Sequence, residues 1–93
     1  MPALKGDALR SLQQKLPEWD VIDEHHLRRT FSFPDFASAL GFVNRVGEVA
    51  ENEGHHPDIS FTWGRATIEV FTHAIDGLTE SDFVLAAKIN RVM

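Results

Sequence analysis

Histidine and carboxylate are the only strongly reactive side chains available to this protein, because it contains no cysteine and so no thiolate nucleophile or thiolate metal ligand. They are unevenly spread. Glu51-Asn52-Glu53-Gly54-His55-His56-Pro57 carries two of the five histidines, and His73 follows sixteen residues beyond Pro57. Imidazole gains and loses a proton near neutral pH, so three such rings brought together suit general acid and base work on a small molecule. Glu51, one helical turn before His55, is placed to orient or polarise that ring.

Two other readings use the same residues. One is three unrelated surface or core histidines. The other is a metal site, since three histidines with a carboxylate are zinc-like in type; against it, neighbours on an extended segment point apart, so His55 and His56 do not readily chelate one ion. No metal is expected. The second doublet, His25-His26, falls in a polar hairpin with no downstream partner, and a solvated turn is expected there.

The elements that must position these residues follow from periodicity and punctuation. Leu9, Leu12 and Leu16 recur at helical spacing over Asp7 to Lys15, with Asp7 as a cap and Pro17 beyond the end. Trp19 to Ile22 and Leu27 to Phe33 read as strands joined through Asp23-Glu24-His25. Pro34-Asp35 then starts a helix from Phe36 to about Asn52. Its apolar face is wide: Phe36, Leu40, Val43, Gly47 and Ala50 suffice for a core, leaving Phe42, Val46 and Val49 either to wrap into that core or to meet another subunit.

Gly54 fits the helix C-terminus, and Pro57 biases His56 to extended backbone. Ile59, Phe61 and Trp63 alternate in a third strand. After a turn at Gly64-Arg65, Ala66 to His73 alternate in a fourth, whose far end returns His73 toward His55-His56. Thr79-Glu80-Ser81-Asp82 has capping-box form, a structural duty that accounts for Asp82, and opens a last helix. Trp19 and Trp63 are most simply core, though an aromatic at a strand end can also wall a flat ligand. The order α-β-β-α-β-β-α with short connections predicts an antiparallel α+β fold.

Ninety-three residues make one domain, 1–93, with too little apolar surface for two cores. The composition, 43% hydrophobic and 25% charged, is that of a globular protein. A net charge of -5 with nine scattered Lys and Arg disfavours nucleic acid, since phosphate contacts need clustered cations. Arg28 and Arg29 diverge on a strand. No apolar run reaches membrane-span length, and nothing at Met1 to Gly6 resembles a signal peptide, so a cytoplasmic address is the expectation.

The spacing of Glu51, His55-His56-Pro57, Trp63, His73 and Asp82 resembles the signature of the pterin-4a-carbinolamine dehydratases. Thr72-His73, Gly77-Leu78-Thr79 and Asp82 are similar to that family's THxxxGLTxxD stretch, and Leu16-Pro17-Glu18-Trp19 and Phe31-Ser32-Phe33-Pro34-Asp35-Phe36 to its N-terminal half. Trp63 stands where tyrosine is commoner, and Gly64 where asparagine is frequent. The resemblance implies a four-stranded antiparallel sheet with three helices on one face, assembling as a homodimer or homotetramer.

It also implies an activity in tetrahydrobiopterin recycling: dehydration of 4a-hydroxytetrahydropterin, the product of aromatic amino acid hydroxylases, to quinonoid dihydropterin, with no metal and no bound cofactor. His55, His56 and His73 would supply the acid and base around the pterin edge. Glu51 and Asp82 would orient histidines, and Pro57, Thr72 and Trp63 would help form the pocket. Some family members instead serve as interaction or assembly proteins, using the long helix.

Overall fold

A computed structural model describes residues 3–93. Its elements are α1 (Gly6–Gln13), β1 (Asp20–Ile22), β2 (His26–Ser32), α2 (Phe36–Glu53), β3 (Asp58–Thr62), β4 (Arg65–Val70), a 3-10 turn (His73–Ile75) and α3 (Glu80–Asn90). The strands form one antiparallel sheet in the order β1-β2-β4-β3. Both hairpins are those read from the sequence, and the expected α-β-β-α-β-β-α order holds. The pairing of β2 with β4 across the whole of α2 carries no local signal.

Alternation decides which face the helices cover. Leu27 and Phe31 of β2 and Ala66, Ile68 and Val70 of β4 are buried on one face, where α2 and α3 pack on the sheet and α1 on α3. Arg29 shares that face with its guanidinium held by neutral partners: Nη1 donates to Asn90 Oδ1 at 2.7 Å and the guanidinium lies 4.3 Å from the Phe31 ring centre. Asn90 Oδ1 also accepts from Trp19 Nε1 at 2.8 Å, which satisfies the one polar atom of a buried indole. On the open face, Arg28 Nε donates to Glu69 Oε2 at 2.9 Å and the Thr30 and Thr67 hydroxyls are 3.0 Å apart.

Three local expectations are corrected. Helix α1 starts at Gly6, so Asp7 lies in its first turn and pairs with Arg10 instead of capping. Helix α2 turns a different stripe inward: Ala39, Phe42, Val46 and Ala50 are buried, while Phe36 is 52% and Leu40 38% exposed. Asp35 caps its start, the carboxylate accepting from the Ser38 N–H at 2.7 Å. Phe42 packs on Phe31 and Phe33, with ring centres 4.5 and 5.1 Å away. Phe42 and Val46 are therefore core and cannot be the edge that meets a partner. Trp63, 64% exposed, is not core either; it sits in the β3–β4 turn.

Candidate active site

The site is built at the C-terminal end of β4, one of the two inner strands. His55-His56 precede β3 on one side of that end, and His25-His26 lie at the start of β2 on the other. With Leu27 opposite Val70 and Asp58 opposite Glu69, continuing both registers past the ladders sets His26 and His56 level with Phe71, and His25 and His55 level with Thr72. Past Val70 the backbone leaves the sheet. A bridge between Thr72 and Gly77 closes the turn that holds His73.

His55 is aimed by the way α2 ends. Gly54 adopts the left-handed conformation, φ 64°, ψ 29°; its N–H donates to the Glu51 carbonyl at 3.2 Å and the His55 N–H to the Ala50 carbonyl at 3.1 Å. These two bonds are the Schellman pair that satisfies the last carbonyls of a helix. They carry His55 off the helix, so it does not meet Glu51. Its partner is Asp82: Nε2 and Oδ1 are 2.5 Å apart. Glu51 instead lies 3.3 Å from His56 Nε2, with both side chains largely in solvent, where such a pair is weak.

Asp82 is completely buried and tolerable there because its oxygens are met by donors on every side. Oδ2 accepts from the Thr79 N–H at 2.8 Å, one arm of the cap of α3, and from the Thr72 hydroxyl at 2.9 Å. Thr72 and Thr79 hydroxyls are 3.0 Å apart. One carboxylate thus ties the start of α3, the exit of β4 and the His55 ring. The capping duty expected of Asp82 is present, and orientation of His55 is added to it.

His55, Thr72 and Thr79, with Gly54, Ile75 and Val84, line a cleft of about 550 Å³, a volume suited to a small bicyclic ligand. His56 and Pro57 adjoin it in sequence without lining it. Trp63 stands at the other end of the β3–β4 hairpin, roughly 20 Å along the strand, and does not line it. His73 opens the 3-10 turn, exposed, with its ring centre 4.2 Å from that of Phe71. It makes no hydrogen bond to His55 or His56. Among the described residues no group of three or more His, Asp or Glu side chains is arranged to hold a metal ion.

The expectation of a solvated turn at His25-His26 is corrected. His25 Nε2 lies 2.7 Å from Asp76 Oδ1, its Nδ1 lies 3.1 Å from His26 Nδ1, and its ring centre is 4.5 Å from that of Phe71. Only the β2–β4 pairing brings these residues together, and a doublet in a hairpin does not announce that pairing. Among the described residues no helix is long and apolar enough to cross a membrane.

A family model described as pterin 4 alpha carbinolamine dehydratase matches residues 2–92. A Rubrobacter xylanophilus protein named provisionally as a pterin-4-alpha-carbinolamine dehydratase is 65% identical over 92 residues, covering 99% of this chain and 86% of its own length. One from Alkaliphilus metalliredigens with the same provisional name is 50% identical over 91 residues, covering 97% and 82%. The crystal structure of a transcriptional coactivator/pterin dehydratase from Brucella melitensis superposes with a TM-score of 0.90 at 30% identity, covering 97% of each chain. A pterin dehydratase-like protein described as a RuBisCO assembly factor in the alpha-carboxysome shares the fold, with a TM-score of 0.70 at 21% identity over 81% of this chain and 88% of its own. The family match over nearly the whole chain and these identities establish that the chain belongs to the pterin-4-alpha-carbinolamine dehydratases, a family of hydro-lyases.

Proposed function

We propose that this protein dehydrates 4a-hydroxytetrahydropterin to quinonoid dihydropterin in tetrahydrobiopterin recycling, in the cytoplasm and as a homodimer or homotetramer. The observation that carries the reading is His55, held through Nε2 on the buried Asp82 carboxylate at the wall of the cleft. The reaction breaks the C4a–O bond, with a proton delivered to the departing hydroxyl so that water leaves, and removes the N5 proton as the C4a=N5 double bond forms. One acid and one base suffice. With Nε2–H donated to Asp82, the neutral form of His55 carries its lone pair on Nδ1 and can take the N5 proton. His56 and His73, flanking the end of β4, are the candidates for the acid. Glu51 is a weak, solvent-exposed partner of His56; Thr72 lines the pocket, and Pro57 directs the chain from the histidine pair into β3.

The test is the dehydration rate of synthetic carbinolamine. His55→Ala should lose about 10²-fold or more in kcat; an unchanged rate would remove His55 from the chemistry and the reading with it.

A second reading, an interaction or assembly protein using α2, draws on the exposure of Phe36 and Leu40 on one side of that helix and on the similarity to the Brucella melitensis protein, which is described as a transcriptional coactivator as well as a pterin dehydratase. It requires a partner bound by a variant with no dehydratase activity.

A further inference from the structure

We propose that His25 is a positioning residue for His73, bracing from the β1–β2 hairpin the turn on which His73 sits. The inference rests on His73 taking part in proton transfer. Three contacts carry it. His25 Nε2 donates to Asp76 Oδ1 across 2.7 Å, joining segments 51 residues apart in sequence. Asp76 closes the 3-10 turn that His73 opens, and its N–H donates to the His73 carbonyl at 3.2 Å. The Phe71 ring touches both imidazoles, 4.5 Å from His25 and 4.2 Å from His73, tilted 42° and 38°. His25 thus grips both ends of the segment: its nitrogen holds the residue after the turn and its face holds the aromatic against which His73 rests.

Both loops joined in this way contain left-handed backbone. Asp76 has φ 52°, and in the hairpin Asp23 and Glu24 have φ 54° and 53°, left-handed values that side chains other than Gly, Asn and Asp adopt rarely. Such backbone persists where surrounding contacts hold it. The His25–Asp76 bond links the hairpin to the turn, and Glu24 Oε2 accepts from the Gly6 N–H at 3.1 Å on the hairpin's outer side. His26 meets His25 from the sheet: their Nδ1 atoms are 3.1 Å apart, and with His26 Nδ1–H donating there, His25 keeps its Nε2–H for Asp76.

His25→Ala should lower kcat about tenfold, the order expected when a reacting group is misplaced by a fraction of an ångström, with KM little changed. His25→Gln, whose amide can still donate to Asp76, should recover most of it. In a His73→Ala background the His25→Ala change should cost nothing further, because its effect passes through His73. Proton NMR gives a reading independent of turnover: His25→Ala should shift the His73 ring signals, which sit beside Phe71, and leave those of His55 in place. Unmoved His73 signals, or an equal loss with and without His73, would overturn the inference. Full activity of His73→Ala alone would instead count against the proton-transfer role of His73, while the NMR shift would still report the brace.

Discussion

Replacing Asp82 by asparagine separates its two duties. The carboxylate accepts from the Thr79 N–H, the Thr72 hydroxyl and His55 Nε2, and an amide of nearly the same shape has one accepting oxygen. If that oxygen keeps Thr79 and Thr72, the NH2 group faces His55 Nε2, which must then accept. The ring proton moves to Nδ1, and the nitrogen assigned to accept the N5 proton no longer can. The activity loss should approach that of removing a general base, about 10²-fold or more in kcat. The stability loss should be smaller, because the cap survives: exchanging a charged acceptor for a neutral one costs about 1–2 kcal/mol, or roughly 5–15 °C in Tm for a domain of this size. Asp82→Ala is the poorer experiment. It strands three donors in a buried site at about 1–3 kcal/mol each, a large part of the roughly 5–15 kcal/mol that stabilises a typical domain. Circular dichroism melts and the carbinolamine assay on Asp82→Asn give both quantities. A melt lowered as expected with kcat unchanged would refute the tautomer argument and return Asp82 to capping alone.

Gly54→Ala meets no steric contact but must hold a left-handed backbone, so denaturant titration should show a loss of about 1–2 kcal/mol, with kcat reduced because His55 follows that residue. Val46→Glu, at a fully buried position, should abolish cooperative unfolding. Leu40→Glu, on the exposed side of α2, should leave the melt near wild type while lowering the mass seen by size exclusion if that side joins subunits. Asp35 is held below its ordinary pKa by the Ser38 N–H and then the Ser38 side chain, so its contribution is present above the unfolded carboxylate pKa and is lost as pH falls through the lowered folded value. Melts of wild type and Asp35→Ala should therefore differ at neutral pH and converge in strong acid.

What is legible in the sequence is local. Alternation in Leu27–Ser32 and Ala66–Val70 draws the strands, Asp35 and Thr79 mark the helix starts, and Gly54 and Pro57 turn the chain toward β3. The expected Glu51–His55 contact fails because side chains four apart meet only while the helix continues; Gly54 ends it, and His55 swings to Asp82, a residue the sequence ties only to its own helix. The inward stripe of α2 differs from the expected one because its apolar face is wider than the sheet can cover, and the choice belongs to Phe31 and Phe33 opposite. His73 reads as a continuing strand residue, whereas Thr72 bridges to Gly77 and turns it out of the ladder. His25 escapes a sequence reading for the most general reason: β2 and β4 pair across α2, and that pairing is decided by the closed sheet.

The shared neighbourhood at the end of β4 makes the site sensitive to parity. Thr72 turns toward Asp82 and Phe71 toward His25 and His73 because consecutive residues leave a strand on opposite sides. A single residue inserted within β4 would exchange the two, removing the hydroxyl from Asp82 and the aromatic from the imidazoles in one step. Two residues inserted at the Trp63-Gly64 turn, at the strand's far end, would preserve the alternation and lengthen only the exposed tip. Chain length should therefore be free to drift in the hairpin and fixed, to the residue, between Arg65 and Gly77.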